Sequence, residues 1–223
     1  HIMTYTLQNS AADPYAANIV QKQGGYTFDF ISKDGMIPHV ALNVGGMHNV
    51  ENMVAAIAVA QRLKIDTHLI INAVEKFKGV KRRFEYVVKK DNLVYIDDYA
   101  HHPEELLALI QSAKRLFPDR KCVIAFQPHL FTRTRDLAEG FADSLDMADE
   151  VLLLDIYPAR ELPIGGVTSQ MIADKMSNPA HTIVSKEALL EYVKLAPLDL
   201  FITAGAGDID KLVKPIKEIL VKK

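Results

Sequence analysis

The sequence has no tryptophan, a single cysteine and almost no net charge: 26 basic against 28 acidic side chains, or −2 over 223 residues. The charge balance removes the electrostatic footprint expected for a nucleic-acid or anionic-membrane partner, so neither is expected. Cys122 alone cannot form an intrachain disulfide; it fits a reducing compartment, and a cytoplasmic location is expected. No apolar run nears the ~20 residues of a membrane-spanning helix. The N-terminus lacks the basic, apolar, small-residue order of a secretory signal, and His1-Ile2-Met3 reads as a tag remnant. Two catalytic signatures are also missing. There is no G-x-x-x-x-G-K-[ST] phosphate loop and no Ser or Cys nucleophile elbow. What remains is 49% hydrophobic and 24% charged, a composition that excludes disorder and can build a core without disulfides.

The first third and the rest of the chain carry different patterns. Tyr26 to Phe30 alternates apolar and polar residues, the period of a half-buried strand. Asp34-Gly35 follows, centring a turn, and Ile37 to Val44 forms the return strand of a hairpin. Gly45-Gly46-Met47-His48-Asn49 leads into helical spacing at Val50, Met53, Val54, Ile57 and Ala58, with Asn49 as N-cap. A second helix is predicted over Thr67–Phe77, stopped by Gly79. A boundary is placed at Lys81-Arg82-Arg83.

From Phe84 onward strands and helices alternate. Strands are predicted at Phe84–Val88, Leu93–Ile96, Cys122–Phe126, Val151–Leu154, Thr182–Val184 and Leu200–Thr203. Helices are predicted at Pro103–Phe117, Thr134–Leu145, Ser169–Lys175 and Lys186–Lys194, with a last one from Asp208. This is an α/β pattern: a mainly parallel, Rossmann-like sheet with helices on both faces. Ligands bind such sheets beyond the carboxyl ends of the strands. There the sequence places Asp97-Asp98-Tyr99-Ala100-His101-His102, then Gln127 to Arg133, then Asp155, Tyr157, Arg160 and Glu161, then Gly205, Gly207 and Asp208.

Each group also has a plain structural reading. Asp97-Asp98 can be turn acids. His101-His102 lacks a third ligand at metal spacing. Gly205-Ala206-Gly207 lacks the third glycine of a dinucleotide fingerprint and suits a tight strand-to-helix turn. Arg82-Arg83 can be a solvated linker. Arg133 is a suitable donor to carboxylate or phosphate.

Four segments taken in order are more specific: Gly46-Met47-His48-Asn49-Val50-Glu51-Asn52, Gly79-Val80-Lys81-Arg82-Arg83-Phe84-Glu85, Asp97-Asp98-Tyr99-Ala100-His101-His102-Pro103, and Phe126-Gln127-Pro128-His129 with Thr132-Arg133-Thr134. In this order they resemble the Mur ligases over nearly the whole chain. The match is to the branch that joins L-alanine to UDP-N-acetylmuramate in peptidoglycan precursor synthesis. The murein tripeptide recycling branch shares the Asn-containing and His-His-Pro segments and is the alternative. A non-catalytic Rossmann-like nucleotide-binding module is the reading from a different class.

The resemblance implies that residues 4–81 are the C-terminal part of a central ATPase domain and residues 82–223 a C-terminal Rossmann-like domain. The phosphate loop and Mg2+ ligands would lie upstream, so this chain alone is expected to be inactive. ATP would be required, with Mg2+ in the full enzyme. His48 and Asn49 would contact adenine, supported by Asn52. Arg83 would reach the ATP phosphates from the interdomain hinge, Asp98 would accept from ribose hydroxyls, and Tyr99 would pack on the nucleoside. His101, His129, Thr132 and Arg133 would face the muramate and amino-acid substrates. Some relatives carry Arg after the position of His129; this chain has Leu130.

Overall fold

The computed structural model describes residues 5–7, 12–22 and 24–223; the reading of residues 1–3 falls outside them. The chain forms two compact units, His1–Gly79 and Val80–Lys223. No helix among the described residues is long and apolar enough to cross a membrane.

The first unit holds an antiparallel sheet of β1 (Tyr15–Lys22), β2 (Gly25–Ser32) and β3 (Gly35–Leu42), with helices α1 (Met47–Arg62) and α2 (Thr67–Lys76). β2 buries Phe28 and Phe30 beneath the stripe Val50, Val54, Ile57 and Ala58 of α1. Ser32 pairs with Gly35, so the hairpin turn centres on Lys33-Asp34, one residue earlier than the Asp-Gly pair suggests. Gly35 takes its positive φ of 132° as the first residue of the return strand. Asn49 is not the N-cap of α1. Gly46 is, at φ 84°, and Asn49 sits in the first turn, its Nδ2 donating to the Gly45 carbonyl at 2.6 Å.

The second unit is a six-stranded sheet in the order β4-β5-β9-β6-β7-β8. Its strands are β4 (Glu85–Lys89), β5 (Val94–Asp98), β6 (Cys122–Phe126), β7 (Glu150–Leu153), β8 (His181–Ile183) and β9 (Leu200–Ala204). Only the β4–β5 pair is antiparallel. β6 and β9 are buried at every residue, as central strands covered on both faces must be, and this is why they read as unbroken apolar runs. One face packs Tyr95, Val123, Leu152 and Phe201 in a core with helices α6 (Lys186–Leu195) and α7 (Asp210–Val221). The other lies under α3 (Pro103–Leu116), α4 (Phe131–Leu145) and the short α5 (Gln170–Ala173), with Phe126 and Phe141 in ring contact at 5.4 Å.

β6 therefore leads into a helix on one face and its neighbour β9 into a helix on the other. That reversal opens a crevice at the carboxyl edge, the usual ligand position in such sheets. Besides one-residue shifts at the ends of β7, β8 and β9, three boundaries that bear on the site differ from the expectation there. Asp97 and Asp98 lie inside β5 rather than beyond it. α4 begins at Phe131, so Thr132 and Arg133 belong to its first turn. α7 begins at Asp210, two residues after Asp208.

Candidate functional site

In the first unit, His48 and Asn52 are exposed on α1. A Cβ on Gly46 would stand 2.6 Å from the His48 ring, so that glycine leaves the space the imidazole fills. With Nδ2 of Asn49 bound to Gly45, its Oδ1 is left to accept.

In the second unit the entry segment sets the geometry. Arg82 and Phe84 both have left-handed backbones, φ 59° and 48°. The Arg82 N–H donates to Glu85 Oε2 at 2.8 Å, and the Phe84 N–H donates to Asp98 Oδ2 at 2.6 Å. Arg82 is no solvated linker residue: its Nε reaches Asp97 Oδ2 at 3.1 Å and its Nη2 the Gly205 carbonyl at 2.5 Å. Arg83, between them, is exposed.

Asp97 is fully buried, which removes its reading as a solvated turn acid. Register pairs it with Thr203 across β5 and β9, and the Thr203 hydroxyl donates to it at 2.6 Å. Tyr95 Oη lies 3.0 Å from the same hydroxyl. Burial pushes the Asp97 carboxyl above the usual carboxylate value, while Thr203 and Arg82 pull it back. Asp98 is likewise raised by burial, against the N–H groups of Phe84 and Ala100 that its two oxygens accept. Both oxygens keep lone pairs beyond those bonds.

Past β5, Tyr99 is 40% exposed, with the Arg82 guanidinium 5.2 Å from its ring centre. Four rings then run along the carboxyl edge: Tyr99 to His101 at 5.1 Å, His101 to His129 at 6.1 Å, and His129 stacked on Tyr157 at 5.8 Å. His101 donates from Nδ1 to the Tyr99 carbonyl at 2.9 Å. Its N–H and that of His102 both go to Glu105 Oε2, the capping box that starts α3 at Pro103.

α4 has no side-chain cap of its own, because Leu130 stands at its N-cap with φ 73°. Glu161, arriving from the loop after β7, supplies one. It accepts from the Thr132 N–H at 3.0 Å and from the Thr132 hydroxyl at 2.5 Å. That hydroxyl bond first, then the N–H groups of Thr132 and Phe131, hold the Glu161 carboxyl below its ordinary value. His129 Nδ1 and Arg133 Nη1 are buried with no hydrogen-bond partner among the described residues. Burial, then the charge of Arg133, lowers the His129 pKa.

The glycines after β9 serve close packing. A Cβ on Gly205 would lie 2.7 Å from the Gln127 carbonyl, and one on Gly207 2.5 Å from Gln127 Oε1. Gln127 fills the crevice between β6 and β9, accepting from the Ile209 N–H at 2.8 Å and donating to Asp208 at 3.0 Å. Beside it a cavity of about 380 Å³ is lined by Tyr157, Ser185, Lys186 and Glu187 among others, with Lys186 paired to Asp208 at 2.5 Å. Neither Asp98 nor His129 lines it. No group of three or more metal-ligating side chains occurs among the described residues.

The second unit thus gathers Arg83, Asp98, Tyr99, His101, His129, Thr132 and Arg133 along one sheet edge; His48, Asn49 and Asn52 lie in the first unit. Arg82 as the bonded partner of the basic pair, Asp97 as a buried anchor and Glu161 as a distant cap were not foreseen. Tyr157 and Glu161 were visible only as part of a polar edge, and nothing local marks their partners.

The Rossmann-like sheet and the unit that precedes it place the chain in a known class of protein. The family profile described as "Mur ligase, glutamate ligase domain" matches residues 82–207, and "Mur ligase middle domain" matches residues 1–60. The chain belongs to the Mur ligase family. Within it, the chain is 48% identical to the UDP-N-acetylmuramate–L-alanine ligase of Flavobacterium johnsoniae, over 92% of this chain and 46% of that protein. It is 48% identical to the ligase of the same name from Parabacteroides distasonis, over 98% of this chain and 47% of that protein. The crystal structure of UDP-N-acetylmuramate–alanine ligase from Thermotoga maritima superposes with a TM-score of 0.77 at 28% identity, over 99% of this chain and 47% of that one. Folylpolyglutamate synthase from the same organism, at 16% identity and TM-score 0.69 over 94% of this chain and 46% of that one, shares the fold. The chain spans about half the length of the relatives it matches.

Proposed function

We propose that this chain is the C-terminal half of a cytoplasmic, ATP-dependent ligase that joins L-alanine to UDP-N-acetylmuramate. The observation that carries the reading is the joint occurrence of near-half identity to ligases of that name with a polar edge built from carboxylate, arginine and ring side chains. Residues 4–81 are read as the end of the central ATPase domain and residues 82–223 as the C-terminal domain. ATP supplies the phosphoryl group that activates the muramate carboxylate; the alanine amine then displaces phosphate to leave an amide. Phosphoryl transfer of this kind asks the protein for positioning and charge compensation more than for a nucleophile, and the edge offers those.

His48 and the free Oδ1 of Asn49 suit an adenine edge, with Asn52 beside them. Arg83 suits the phosphates, the remaining lone pairs of Asp98 the ribose hydroxyls, and the exposed face of Tyr99 the nucleoside. His101, His129, Thr132 and Arg133 are assigned to the muramate and amino-acid side. Mg2+ is assigned to ligands upstream of this chain.

The test is phosphate release by the full-length protein with ATP, UDP-N-acetylmuramate and L-alanine, each omitted in turn. Release that needs all three supports the reading. Release with the murein tripeptide in place of L-alanine moves the assignment to the recycling branch. Turnover by the 223-residue chain alone overturns its reading as half of the enzyme.

A further inference from the structure

We propose that Arg82 and Asp97 are positioning residues which, with Thr203, clamp segment 82–84 to the sheet so that Arg83 projects from a fixed platform. The inference rests on the reading of Arg83 as the phosphate-contacting residue.

The argument begins with burial. Asp97 is fully buried, and a carboxylate at that depth persists only when it is paired and hydrogen-bonded. A shape-matched apolar residue would serve the sheet at least as well, so stability alone does not explain the ion pair. Its partner comes from the entry segment. Through Nε and Nη2 the Arg82 fork ties residue 82 to Asp97, 15 positions on, and to Gly205, 123 positions on. Lysine carries its three donors on one nitrogen and lacks the planar fork that reaches Asp97 from Nε and Gly205 from Nη2.

The backbone around Arg83 is fixed with equal care. The N–H of Arg82 goes to Glu85, that of Arg83 to the Val80 carbonyl, and that of Phe84 to Asp98, while the Arg82 carbonyl accepts from Tyr99. The left-handed residues on either side of Arg83, φ 59° and 48°, are conformations non-glycine residues hold only where their surroundings enforce them. The outcome is an alternation: Arg82 is turned inward with its side chain 16% exposed, Arg83 is exposed, and Phe84 is 1% exposed. The Arg82 guanidinium is already committed to Asp97 and Gly205. Arg83, whose charge also acts on the Asp98 carboxyl, is the exposed arginine of the pair and the one placed to meet an incoming anion.

The experiment is a double-mutant cycle in the full-length protein, with hydrogen exchange followed on the same samples. Arg82→Lys should lower kcat/KM for ATP by ~10-fold, and Thr203→Val, which removes one hydroxyl and keeps the shape, by ~3-fold, with KM for L-alanine unchanged. In an Arg83→Gln background the same changes should add less than ~2-fold, since they act through Arg83. Amide protection at Arg83 and Phe84 should fall in both single variants while the β6 and β9 amides keep theirs. Additive losses, or unchanged protection at 83 and 84, overturn the clamp. If Arg83→Gln leaves ATP kinetics unaltered while protection still falls as expected, the reading of Arg83 fails instead, and with it the catalytic purpose of the clamp.

Discussion

The two ends of one sheet edge are finished differently. At the β5–β9 end, Asp97, Thr203, Tyr95 and Arg82 answer one another at 2.6 to 3.1 Å, and both oxygens of Asp98 accept backbone N–H groups. At the β6–β7 end, one nitrogen of His129 and one of Arg133 are buried without a partner among the described residues. A lost partner in a buried site costs about 1–3 kcal/mol, so native proteins keep few such atoms, and those few call for an explanation. The contrast separates a scaffold whose polar atoms are answered within the protein from a stretch of the same edge where two buried nitrogens are not answered by described protein groups. The proposed roles follow that division, with nucleotide positioning at the first end and substrate contact at the second.

The largest effect should come from breaking the finished end. Arg82→Met leaves Asp97 buried without its cation, and removing one member of a buried pair costs about 3–5 kcal/mol. Urea denaturation should show a fall of that size. A loss below about 1 kcal/mol would mean that Thr203 and water suffice for the carboxylate, and the contrast between the ends would weaken.

Gly205 lies where the two ends meet: its carbonyl holds Arg82 and its Cα faces Gln127. At φ 144°, with a new Cβ 2.7 Å from the Gln127 carbonyl, Gly205→Ala combines backbone strain with overpacking against main chain and should cost about 2–4 kcal/mol. Gly165 has nothing within 4 Å of the same position, so Gly165→Ala should change stability by less than about 0.5 kcal/mol. Equal melting shifts for the two would show that the turn after β9 is loosely held.

Much of the sheet was legible because central parallel strands are apolar on both faces; Cys122–Phe126 is found where the run of residues puts it. β1 was not read at all. Its bulge between Ala17 and Val20, and the positive φ of Asn18, break the alternation that marks a strand. The start of α4 was set three residues late because Leu130 offers no capping side chain, and its substitute, Glu161, is 29 residues away from Thr132. The finished end was the least legible part. Asp97 follows an apolar strand and looks like a turn acid until β9 brings Thr203 beside it, 106 residues on. Local pattern places elements; it cannot show partners that only the parallel register brings together.

The smallest effect, and the most direct probe of the unfinished end, is the titration of His129. Burial first, then the charges of Arg133 and His101, hold its pKa below the ordinary 6.5, and Glu161 alone pulls the other way. The ring proton followed by NMR should therefore titrate below 6.5. Arg133→Met should raise the midpoint and Glu161→Gln should lower it further. The sign carries over to stability. A histidine whose folded pKa is depressed contributes stability that is present above its unfolded pKa and is lost as pH falls through the folded value, because the unfolded chain takes up the proton more readily. The melting temperature of the parent minus that of His129→Gln should then be constant at neutral pH and above, and should fall below about pH 6 as the parent alone loses the additional stability. A midpoint at or above 6.5, or a shift of the same sign in both variants, would mean that His129 sits in water like any surface ring. The unpartnered nitrogens would then mark slack packing rather than a site with bonds still to make.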